Sequence, residues 1–82
     1  MASLQYVIDS ICTSLTAESM YELIEVRVRQ GGFIVDEILP LIQSKDRSLD
    51  TGSAKMLAEA ALEALAQRGR VKIEGDFVLR VA

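Results

Sequence analysis

The chain has 82 residues, half of them apolar and 26% charged, with a formal net charge of −3 and one cysteine. That length suits one domain, 1–82, with a thin stability margin, and the composition is globular rather than disordered. A disulfide scaffold is excluded because Cys12 has no partner in the chain, and the longest uncharged apolar run, residues 38–42, holds Pro40 and cannot span a bilayer.

Residues 3–15 place Leu4, Ile8, Ile11 and Leu15 at intervals of four, three and four, with Val7 widening the stripe. This spacing predicts a helix with Ser3 as its N-cap. It is also the spacing of coiled-coil a and d positions, so the same four residues are candidate contacts of a homodimer. The alternative is packing on the domain's own core. Cys12 falls in this helix beside Ile11 and is expected to be a buried, inert thiol. Residues 17–30 put Met20, Leu23, Ile24 and Val28 on a second helical face, with Glu25 and Arg29 four apart and Gly31-Gly32 as the stop. Residues 24–29 also alternate like a strand; helix is favoured because nothing upstream has strand character.

Residues 33–35 form a short apolar run that fits a brief edge strand. Asp36 is placed to cap a third helix carrying Ile38, Leu39, Leu41 and Ile42, and Pro40 fixes its start near Asp36 or Glu37, because proline is tolerated only in a first turn. A loop is expected at residues 43–48 and cap residues at 50–53. A fourth helix, from about Ala54 to Arg68, has Leu57, Ala58, Ala61, Leu62 and Leu65 inward and Lys55, Glu59, Glu63 and Gln67 outward. Gly69 ends it, with Arg68 against the negative end of its dipole. Residues 70–81 then read as a β-hairpin. A three-residue loop at 74–76 would gather Val71, Ile73, Phe77, Leu79 and Val81 on one face against the fourth helix, leaving Lys72 and Arg80 in solvent.

The expected fold is therefore α+β, with about four helices followed by a C-terminal hairpin. Residues 57–71, with Leu62, Leu65, Gly69 and Val71 in an L-x-x-L-x-x-x-G-x-V pattern, resemble the third helix of a winged helix-turn-helix domain running into its wing. The resemblance covers residues 33–81, with 17–82 as the winged-helix-like part and the first helix as a dimerisation element. It implies DNA reading by the third helix of that fold in the major groove. Lys45, Arg47, Thr51, Ser53 and Lys55, with Lys72 and Arg80 from the wing, are the candidate phosphate or partner contacts. Against this stand Glu59 and Glu63 on the reading face and an acidic chain. The last third, residues 53–82, carries five bases against four acids and is the only part with a basic surplus.

Catalytic and metal-binding chemistry find little to work with. Histidine is absent, which removes His-dependent triads and the commonest metal ligand. One cysteine cannot build a cysteine-rich zinc site, and Gly31-Gly32 is an isolated pair rather than a phosphate loop. Glu18, Glu22 and Glu25 share a helical face that reads as solvated. The expectation is a non-catalytic binding module with no cofactor, no metal and no small-molecule site. Its partner would be a protein or a second copy, with duplex DNA as the alternative. Residues 1–5 have no basic stretch leading into an apolar core, so no secretory signal is read and a cytoplasmic setting is expected.

Overall fold

The computed structural model describes residues 3–81. Helix α1 spans Leu4–Ile11 and α2 spans Ala17–Arg29; strand β1 is Phe33–Ile34. A 3-10 turn over Val35–Ile38 leads into α3, Leu39–Lys45, and α4 runs Thr51–Gln67. Strands β2, Val71–Glu74, and β3, Phe77–Arg80, form the C-terminal hairpin. The fold is α+β, and β3 is the middle strand of an antiparallel sheet ordered β1-β3-β2.

Local chemistry sets most boundaries. The Ser3 hydroxyl accepts the Tyr6 N–H at the start of α1. That helix is shorter than its apolar spacing predicts: Cys12 adopts a left-handed conformation, φ 60, and closes it. Leu15, beyond the helix, is still buried. Cys12 itself is exposed, correcting the expectation of a buried thiol. Thr16 and Ser19 cap α2 reciprocally, and residues 24–29 are helical. Glu25 pairs with Arg70 at 2.8 Å rather than with Arg29 one turn away.

Pro40 sits in the first turn of α3, as required, but Asp36 is not the cap. The Glu37 carboxylate accepts the Ile34 N–H at 2.7 Å instead. Helix α4 starts three residues before Ala54, because Asp50 accepts the Ser53 N–H at 2.7 Å and so brings Thr51 and Gly52 into the first turn. At its far end Gly69, φ 72, donates to Ala66 and Arg70 donates to Leu65, a Schellman ending. Arg68 lies over the Tyr21 ring at 4.8 Å.

The loop register departs from the sequence expectation. Ile73 faces Val78, Val71 faces Arg80, and Glu74 faces Phe77 across a two-residue turn. Gly75 takes φ 60 at the first turn position, as a type II′ hairpin demands. The neighbouring strand explains the choice. Phe33 of β1 pairs with Val78, so Phe33, Val78 and Val71 share the face toward the helices, and all three are buried. Phe77, Leu79 and Val81 therefore lie on the outer face, with Phe77 53% exposed. Leu79 finds cover there against the backbone of Gly32, where a Cβ would come within 2.7 Å of its Cδ2.

Two polar ties hold the helical layer. Arg27 donates to the Gly31 carbonyl and lies over the Phe33 ring at 5.1 Å, joining the end of α2 to β1. Asp46 accepts from the Ser48 hydroxyl (2.6 Å) and N–H (3.0 Å) in its own loop. Its other oxygen accepts from the Thr13 hydroxyl at 2.6 Å and the Ser14 N–H, linking the α1–α2 loop to the α3–α4 loop.

The register makes a paired prediction. Val78→Ala should cost about 1.5–3 kcal/mol in denaturant unfolding, whereas Phe77→Ala should cost under about 1 kcal/mol. The reverse order would require the three-residue loop. Asp46 gives a pH prediction. The Ser48 hydroxyl first, then the Thr13 hydroxyl and the Ser48 and Ser14 N–H groups, hold its carboxyl well below its ordinary value of 3.8. A lowered folded value means stabilisation present above the ordinary value and lost as pH falls through the folded one. Asp46→Asn should melt below the native chain at neutral pH, and the gap should narrow below pH 3.8. A gap independent of pH would contradict the hydrogen-bonded carboxylate.

Candidate docking groove

The outer row of α4 and the hairpin turn enclose a groove of about 650 Å³. The 3-10 turn closes one end, because the Val35 N–H donates to the Asp76 carbonyl at 3.2 Å and so fixes the turn beside it. Leu62, Ala66 and Ile73 supply apolar lining, with Ile73 40% exposed; Ile34 borders the groove, but opposite Phe77 its side chain belongs to the outer face of the sheet. Four carboxylates border it, Asp36, Glu59, Glu63 and Asp76, against one cation, Lys55.

The residues expected to contact phosphate do not converge. Lys55 lines this groove, while Thr51 and Ser53 sit in the first turn of α4 and Arg47 is exposed in the loop before it. Lys45 lines a separate groove between α2 and α3, with Leu23, Val26 and Leu41. On the hairpin, Lys72 is bonded to Glu74 at 2.8 Å, and the carboxylate, by hydrogen bond and then by charge, holds its ammonium above the usual lysine range. Arg80 lies at the far end of the sheet with Arg29, Arg70 and Glu25. The candidate dimer residues are inside: Leu4, Ile8 and Leu15 are buried and Ile11 packs half-buried against the core, chiefly where α1 meets α4. The dimer contact expected at this stripe has no exposed side chains to make it.

Sequence reasoning placed Glu59 and Glu63 on the outer face of α4. It assigned Asp36 to a cap and Asp76 to a turn, and so missed their convergence with Glu59 and Glu63. The Gly75-Asp76 pair was the available signal: a two-residue turn brings Asp76 back toward β1. Among the described residues, no helix is long and apolar enough to cross a membrane. No family model, curated protein or solved structure matches the chain.

Proposed function

We propose that the chain is a cytoplasmic, non-catalytic binding module of winged-helix-like build that docks a protein partner in the groove beside α4. The order β1, α3, α4 and hairpin, with the hairpin alongside α4, supports the winged-helix resemblance. The observation that carries the docking function is the charge of the groove. In a DNA reader the exposed face of α4 would approach phosphates, and here it presents Glu59 and Glu63, with Asp36 and Asp76 bordering the same groove. A carboxylate and a phosphate about 4 Å apart repel by about 1 kcal/mol even in water, and the effect grows as the interface dries. The cations that could offset this are dispersed, and Lys72 is already paired.

DNA binding remains the second reading, because Thr51, Ser53 and Lys55 lie near the start of α4 and Arg47 is exposed in the loop before it. A duplex titration at low and moderate salt separates the two. The docking function predicts no measurable complex at low salt. A complex that fades steeply with salt, and whose salt slope falls by up to about three units in the Lys45→Ala, Arg47→Ala, Lys55→Ala variant, would establish the DNA function instead.

A further inference from the structure

We propose that the partner presents a basic amphipathic helix, with its apolar stripe on Ile73 and Ala66 and its lysines or arginines against the bordering carboxylates. This rests on the docking function above and adds the chemistry of the partner.

The distribution of unpaired charge points to it. Most acids outside the groove are already engaged: Glu25 with Arg70, Glu37 with Arg27, Glu74 with Lys72, Asp46 with Thr13, Ser14 and Ser48, Asp50 with the Ser53 N–H, Asp9 with Gln5. Among the described residues, the side chains of Asp36, Glu59, Glu63 and Asp76 accept no hydrogen bond and meet no cation, and all four border one groove. Glu18 and Glu22 are the remaining two without a partner, and they lie on α2, outside it. Unpaired carboxylates alone would suit any cation. Ile73, exposed beside them, selects an occupant that also brings apolar surface.

Geometry favours a helix over an extended strand. Glu59 and Glu63 stand one turn apart on α4, so a helix laid along α4 can set basic residues at i and i+4 against them. Asp36 and Asp76, at the 3-10 turn and the hairpin turn, take a second basic edge, which leaves the apolar stripe over Ile73. Lysine and arginine stems extend that apolar cover while their charged ends reach the rim. The β2 edge would suit a strand, but Lys72 and Glu74 guard it.

The test uses the full chain and a synthetic helical peptide several turns long, with leucines at i, i+3, i+4 and i+7 flanked by lysines. A second peptide carries glutamates in place of the lysines. Calorimetry and amide chemical shifts are read at low salt. The lysine peptide should bind and shift Ala66, Ile73, Glu59 and Glu63, and the glutamate peptide should not. Glu59→Gln with Glu63→Gln should weaken binding about threefold to tenfold, as expected for two solvent-bordered ion pairs. Ile73→Ser, at an exposed site, should weaken it further without unfolding the chain. No binding of the lysine peptide, equal binding of both peptides, or unchanged affinity in the Gln variant would overturn the proposal. If the duplex titration is also negative, those outcomes reject the basic helix and leave protein docking standing; a positive duplex titration rejects the docking function itself.

Discussion

Helix α4 is buried along most of its circumference, and the other elements are arranged around it. Leu57, Leu62 and Leu65 fill the core, while Ala54, Ala58 and Ala61 are fully enclosed. Helices α1, α2 and α3 all pack on α4, and β2 closes against its C-terminal part. Interaxial distance follows the size of the side chains at the contact, so the alanines let three helices crowd one. One side stays open to solvent, and past the first turn Lys55, Met56, Glu59 and Gln67 occupy it, with Glu63 half-buried among them. The packing thus decides which side chains a partner can meet, and those side chains carry more negative charge than positive.

The same crowding explains how the N-terminal stripe is used. A helix with coiled-coil spacing needs a partner, and α4 supplies it within the chain. The spacing of Leu4, Ile8 and Ile11 was fully legible; whether the partner was internal was not, because that depends on how much of α4 the other helices leave uncovered. The helix end was equally hidden. Leu15 continues the apolar rhythm, yet Cys12 turns left-handed, and no residue of the conformationally permissive type announces it.

Helices α2 and α4, the short proline-started α3 and the hairpin were legible because capping residues, Gly69 and the periodicities agree with one another. The hairpin register was not. A three-residue loop gathers more apolar residues on one face of the hairpin, but only where β1 is left out. Once Phe33 lies beside Val78, the middle strand packs on α2 while β2 packs on α4, and burying Val78 matters more than gathering Phe77 and Leu79 on one side. Gly75 at the first turn position was the local signal for this outcome. It also brings Asp76 next to Val35, without which the groove would lack its second acidic edge. The candidate site was therefore half legible: the carboxylates of α4 follow from helical spacing, whereas Asp36 and Asp76 join them only through a strand pairing between distant segments.

On the proposed function, unpaired carboxylates bordering α4 keep this surface from nucleic acid and reserve it for a basic partner. Charge reversal tests it most directly. Glu59→Lys with Glu63→Lys changes the open side without touching the buried face of α4. The account predicts that the native chain leaves duplex DNA unbound at low salt, while the folded reversed variant binds it with an affinity that falls as salt rises. Native binding as tight as that of the variant would contradict it.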